Sequence, residues 1–229
     1  MRVVDLAQTE RRSLNQELHA LREGANETHW RVLNPAGQHA LAVGLDAPVT
    51  IEIAGHVGYY CAGMNKSAHV IVEGNAGVGV AENMMSGRVH IKGDASQAAG
   101  ATAHGGLLLI EGDAAARCGI SMKGVDIVVK GSIGPMSAFM AQAGNLVVLG
   151  DAGEALGDSI YEAKLFVRGD VKSLGADCIE KEMRDEHRTA LAALLEQAGL
   201  KGEVDVSEFK RYGSARQLYN FHVDNASAY

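Results

Sequence analysis

Four aspartates hold matching places in this chain. Asp94 and Asp113 form one pair and Asp151 and Asp170 another, each pair nineteen residues apart. Each follows a glycine, in "KGDA", "EGDA", "LGDA" and "RGDV". Carboxylates stacked at such places could bind a cation or divide acid–base work, as in β-helical polysaccharide lyases. The same residue type after a glycine also forms turns, bonding its side chain to its own turn amides, and that plainer role is the one favoured. His104 in "ATAHGG" could serve as a general base, as in left-handed hexapeptide acyltransferases, but the six-residue period of that fold is absent. "GNAGVG" (74–79) looks glycine-rich, yet no Lys-Ser/Thr follows it as a phosphate loop requires. His29, His39, His56, His69 and His90 lack metal-ligand spacing. Cys61, Cys118 and Cys178 contain no CxxC pair and read as reduced, buried thiols. The residues thus nominate no catalytic, cofactor-binding or metal site.

What must position these side chains is a repeat. Gly55, Gly74, Gly93, Gly112, Gly131, Gly150 and Gly169 recur at intervals of nineteen without drift. Four and two residues before each glycine the chain is always aliphatic, from Ile51 and Ile53 to Leu165 and Val167. A spacing of two places both columns on one face of a strand. One residue after the glycine stand turn formers, and three and seven after it stand mostly small residues. One strand and turn cannot bury its own apolar face, whereas stacked copies can. The expected fold is all-β: a right-handed parallel β-helix, a single-stranded solenoid of seven coils of nineteen residues. At about 4.8 Å per coil it spans roughly 30 Å.

The outward columns differ from each other. Glu73, Lys92, Glu111 and Lys130 alternate in sign and should pair across adjacent strands. Glu52, Ile71, His90, Leu109, Val128, Val147 and Phe166 form a stripe that is largely apolar. Such a stripe is covered either by another segment of the chain or by a partner. Ile71, Leu109, Val128, Val147 and Phe166 are therefore candidate interface residues, together with the tail aromatics Phe209, Tyr212, Tyr219 and Phe221.

Three segments follow: an N-terminal cap (1–46), the β-helix (47–177) and C-terminal helices and tail (178–229). The cap should hold a short strand at "VVDL" and a helix with Leu14, Leu18 and Leu21 on one face, capped by Thr9. Trp30 reads as a core plug. "CIEKEMRDEHRTALAALLEQAG" should be a helix stopped by Gly199, and "VSEFKRYGSARQLYNF" a second one capped at Ser207 or Ser214. The net charge of −7 excludes a nucleic-acid footprint. Apolar runs are too short to span a bilayer, and the N-terminus lacks a secretory signal, so a cytoplasmic location is expected.

The coils "GHVGYYCAG", "GNAGVGVAENMMSG", "GSIGPMSAFMAQAG" and "GDAGEALGDSIYEAKLFVRGDVKSLG" resemble the GXGXG β-helix domain family. That family includes the C-terminal domain of the glutamate synthase large chain and the C subunit of formylmethanofuran dehydrogenase. The resemblance covers about residues 26–180, and "RYGSARQLYNF" is similar to the helical end of the glutamate synthase domain. As a chain of this length it is most similar to the β-helix subunits of N-methylglutamate synthases. The resemblance implies a non-catalytic scaffold in a hetero-oligomer with a class II amidotransferase-like subunit and an FMN-binding (β/α)₈ subunit. It places FMN, and an iron–sulfur cluster as a further candidate, in those partners and no cofactor in this chain.

Overall fold

The computed structural model describes residues 1–21 and 26–217. Nine parallel strands stack in chain order. They are β1 (Arg2–Asp5), β2 (His29–Leu33), β3 (Thr50–Ala54), β4 (His69–Val72) and β5 (Arg88–Ile91). β6 (Leu107–Ile110), β7 (Lys123–Val129), β8 (Ala143–Val148) and β9 (Lys164–Val167) complete the run. From β3 to β9 the register is the repeat itself: Ile51, Val70, Val89, Leu108, Ile127, Leu146 and Leu165 lie side by side. Every one of them is fully buried, as are their partners two residues on. The β-solenoid and its aliphatic core therefore match the sequence. Trp30 and Val32 of β2 extend the same core, so the sheet runs past the repeat at its N-terminal end.

The turn after each strand shows why the glycine is there. The side chain one residue past the glycine does not bond its own turn. It accepts the backbone N–H of the equivalent residue in the next coil. Asn75 Oδ1 takes the Asp94 amide at 3.0 Å, Asp94 Oδ1 that of Asp113 at 2.9 Å, and Asp113 Oδ1 that of Ser132 at 2.7 Å. Ser132 Oγ and Asp151 Oδ1 continue the ladder to Asp151 and Asp170. To reach that amide the side chain must pass beneath the next coil's glycine. A methyl group on Gly93, Gly112, Gly131 or Gly169 would overlap the Asx oxygen of the preceding coil. These glycines are kept for space, since their φ angles are not in the left-handed region.

A second ladder follows the turn. Five, seven and nine residues after each repeat glycine from Gly55 to Gly150 the backbone is left-handed, as at Gly79, Ala81 and Asn83 or Met136, Ala138 and Met140. The alternation sends successive amides to opposite neighbours. Gly79 N–H bonds Gln97 O in the next coil, Ala81 N–H bonds Cys61 O in the previous one, and Asn83 N–H bonds Ala101 O in the next. Left-handed backbone costs about 1–2 kcal/mol for a residue with a Cβ, and these inter-coil bonds offset it.

The ends are capped. Helix α1 (Arg11–Ala20) buries Leu14 and Leu18 and turns its other face to the first coil. Arg11, Asn15 and His19, spaced by four, meet the carbonyls of His39, Ala40 and Val43, and Asn15 Oδ1 also accepts the Ala42 amide. One helix face thus satisfies backbone groups that have no preceding coil to bond. Thr9 is not its cap. Glu10 holds that position without a side-chain bond, because the turn after β1 draws the Thr9 amide to Asp5 O.

The C-terminal segment departs further from expectation. Cys178–Lys181 is a strand, β10, and helix α2 covers only Asp185–Gln197. Gly199 stops that helix as expected, with φ +84° and the Leu200 amide bonded to Leu195 O. Among the described residues the second helix is absent: Val206–Glu208 is a single 3₁₀ turn, and Lys210–Ser214 is a strand, β11. β11 inserts between β9 and β10, antiparallel to both, and closes the solenoid's last edge. Its register with Leu165 and Phe166 overrides a sequence with no strong strand alternation. Neither serine caps a helix. Asp205 takes the Ser207 amide, and Ser214 Oγ donates to Asp177.

Gly112→Ala is expected to lower stability by about 2–4 kcal/mol, from overpacking and a displaced hydrogen bond. In an Asp94→Ala background, which vacates the space, the same change should cost at least about 1 kcal/mol less. Urea unfolding of the four proteins checks this, and strictly additive effects would show that the two residues do not share one contact.

Candidate functional site

The stripe proposed as an interface is mostly covered by the chain itself. Leu109, Val128, Val147 and Phe166 are buried to 3% exposure or less beneath Leu191, Leu194 and Leu195 of α2 and Ala198 at its C-terminal cap. Leu107, Leu149, Leu200 and Phe209 complete this second core. Tyr212 belongs to the solenoid interior instead, as a residue of β11. Five of the nominated residues, Leu109, Val128, Val147, Phe166 and Phe209, are therefore internal packing under α2, and Tyr212 is solenoid core. Tyr219 and Phe221 lie outside the described residues. The physical reason is a match of lengths. Thirteen helical residues reach about 20 Å, and five strands span about 19 Å. Arg88 of β5 fixes the far end, donating from Nη1 to the Gln197 carbonyl at 2.8 Å. The apolar part of the stripe, β6 to β9, coincides with the reach of α2.

Beyond that reach the outward face of β2 to β5 is open and polar, with Ile71 its one half-exposed aliphatic of the stripe. Arg31 grips Glu52 at 2.8 Å and Glu73 at 3.1 Å, across three strands. His29 Nε2 also meets Glu52 at 2.9 Å. The His29 bond and the Arg31 charge hold the Glu52 carboxyl below its ordinary range. Next along the sheet, His90 Nε2 lies 2.7 Å from Glu111, with Lys130 at 3.5 Å on the other oxygen. Burial opposes ionisation of Glu111, yet the His90 bond and the Lys130 charge win and hold its carboxyl low. Burial pushes His90 down in spite of Glu111, so the imidazole is mainly neutral at pH 7. The expected alternation of Glu73, Lys92, Glu111 and Lys130 is realised only at Glu111–Lys130. The forked guanidinium of Arg31 draws Glu73 away, and His90 takes the facing oxygen of Glu111.

The reactive-looking groups are placed for structure. Cys61, Cys118 and Cys178 are free and buried, and burial pushes each thiol up to about 12, so none is a thiolate near neutral pH. The aspartate pairs are links of the turn ladder: Asp94, Asp113 and Asp151 each lend one oxygen to the next coil, and Asp170 ends the ladder by giving its amide to Asp151. His104 is exposed and contributes its backbone to the coil, its amide bonded to Met84 O. Among the described residues, no three His, Cys, Asp or Glu side chains gather in a group that could hold a metal ion. Among them too, no helix is long and apolar enough to cross a membrane.

Comparison with known proteins gives one full-length match. Over all 229 residues, and over the whole of the relative, the chain is 67% identical to Protein GlxC of Rhizobium meliloti (strain 1021). The chain belongs to the GlxC family. No protein-family model and no solved structure matches it. For this GlxC-family chain, the sequence left open whether the stripe is covered by the chain or by a partner, and it did not show that α2 is the cover or that Arg88 latches to Gln197. A signal for the cover was present. The apolar stretch of the stripe is four coils long, and the C-terminal helix carries an apolar face of Leu191, Leu194 and Leu195.

Val128→Glu is accordingly expected to act on folding. It places a charge in the α2 contact and should cost on the order of 3 kcal/mol or more in the isolated chain. Hydrogen exchange should speed up in residues 185–197 while the coils stay protected. An unchanged melting temperature with unchanged exchange would show that α2 does not seal the stripe in solution.

Proposed function

We propose that this chain is the non-catalytic β-helix scaffold of a glutamate synthase-like complex, an N-methylglutamate synthase. That enzyme joins methylamine to L-glutamate, giving N-methyl-L-glutamate and ammonia. The observation that carries the reading is the uniform stacking of coils whose sequences resemble the GXGXG domain. The columns stay in register through all seven glycines, and the polar turn residues from His56 to Asp151 are each spent on the next coil. A catalytic site usually breaks local rules of this kind, whereas a spacer gains from keeping them. Family membership over the full chain accords with this role. In this reading the amidotransferase-like and FMN-binding subunits carry the chemistry, and FMN binds there.

The open face of β2 to β5 now replaces the covered stripe as the docking surface, with Arg31, Glu52, Ile71, Glu73 and His90 upon it. A helical C-terminal segment would favour glutamate synthase over the formylmethanofuran dehydrogenase C subunit. Lys210–Ser214 is a strand, so the preference rests on the coils and on chain length.

Affinity purification of the tagged chain from its native host tests the proposal. Two larger chains should accompany it, one bearing flavin absorbance, and the assembly should form N-methyl-L-glutamate. The chain alone should be colourless and inactive. A partner-free chain that turns over a polysaccharide or an acyl donor would sink the scaffold reading. Recovery with molybdenum- or tungsten-containing chains would select the formylmethanofuran alternative.

A further inference from the structure

A polar cleft of about 460 Å³ lies between the last coil and the β10–β11 hairpin. That volume lies in the range of small-molecule sites, about 300–1,000 Å³. Five cations line it, Lys164, Lys181, Arg184, Arg211 and Arg216, against the three carboxylates of Glu162, Glu180 and Glu182. The excess is positive in a chain whose net charge is −7.

Two of the cations are already neutralised. Arg216 pairs with Glu162 and Arg184 with Glu182, both at 3.0 Å. Glu180 is reached from outside the cleft by Lys210, at 4.0 Å. The other three meet carbonyls or solvent. Lys181 Nζ donates to Ser214 O at 2.7 Å, and Arg211 Nε donates to the Glu182 carbonyl at 3.0 Å, which leaves the fork of its guanidinium unspent. Lys164 is exposed and senses Asp126, whose half-buried carboxyl is already tied to Asn145 at 2.7 Å. Among the described residues no carboxylate comes within ion-pair distance of Lys164, Lys181 or Arg211.

The surroundings reinforce the imbalance. Burial and then the charge of Arg184 press against the Arg211 cation, with Glu186 and Glu182 only partly relieving it. The Arg184 amide donates to His187 Nδ1 at 3.2 Å, so the neutral ring carries its proton on Nε2. Burial and then Arg211 lower the His187 pKa. The N-terminus of α2 opens here as well, its positive end offset by Asp185 and Glu186 in the first turn.

We propose that this cleft binds a small multivalent anion, a carboxylate or phosphate compound, gripped by Lys164, Lys181 and Arg211. Arginine supplies a planar fork that meets two anionic oxygens at once, and the lysines supply point charges. The site is independent of the scaffold role and stands or falls separately.

The test is calorimetric titration of the full chain with inorganic phosphate and with citrate, against sodium chloride at matched ionic strength. Saturable binding of at least one of them is expected, with a melting temperature that rises to match. Lys164→Gln and Arg211→Gln should each weaken it by about tenfold or more, the loss of one charge-assisted hydrogen bond. Tighter citrate binding assigns the carboxylate class, and tighter phosphate binding the phosphate class. Arg211 also braces the hairpin, so Lys164→Gln is the decisive variant: its exposed side chain is expected to leave the unliganded melting temperature unchanged. Heats equal to those of sodium chloride would overturn the proposal. So would a stabilisation that never saturates, as excluded salts produce, or undiminished binding by Lys164→Gln.

Discussion

One hydrogen bond, repeated along the solenoid, sets most of what the sequence must obey. The side chain after each repeat glycine from Gly55 to Gly150 accepts an amide from the coil that follows. This fixes the coil length at nineteen, because a longer or shorter coil would carry the acceptor away from its donor. It demands an acceptor atom close to the backbone, so Asn, Asp and Ser share the column with His56, whose Nδ1 takes the Asn75 amide. It demands an absent Cβ one coil on, so the preceding column is glycine throughout. Two columns that look like separate turn preferences are therefore one constraint, read from its two ends.

The same bond makes each coil depend on its neighbours. Strand amides, left-handed amides and the amides bonded by the Asx ladder leave their own coil. A coil at either end would be left with unpaired donors and acceptors, which are costly when shielded from water. Capping is thus as much a part of the fold as stacking. Helix α1 answers with Arg11, Asn15 and His19 on one face, meeting three carbonyls of the first coil. At the other end β11 runs antiparallel to β9, so that no tenth parallel coil can be added. The cap strands differ in composition from the repeat because they bond a coil without imitating it.

What was legible in the sequence is what the period enforces. The inward aliphatic columns, the turn column and the small residues seven past the glycine could all be aligned, and each has its place. The left-handed positions at Tyr60, Arg117 and Thr102 could not be read, because those residue types carry no preference for that backbone. Long-range bonding imposes it on them. β11 was misread for the same reason: "KRYGS" has little strand character of its own, and its partners β9 and β10 supply the conformation. The direction of each Asx bond was likewise invisible. A turn former looks the same whether it bonds its own turn or the coil above.

The two outward halves of the sheet show how far local composition follows three-dimensional cover. Under α2 the outward residues are leucine, valine and phenylalanine; beyond Arg88, where the helix ends, they are mainly arginine, glutamate and histidine. An open sheet face carrying paired charges resists indiscriminate association, since any partner must first replace those pairs with its own. Arg31 spans Glu52 and Glu73, so displacing it exposes two carboxylates at once. Under the proposed scaffold role, such a face would select partners by charge pattern, and assembly upon it should weaken with salt. An assembly sealed by the apolar stripe would have been insensitive to salt, and that stripe is already occupied by the chain's own helix.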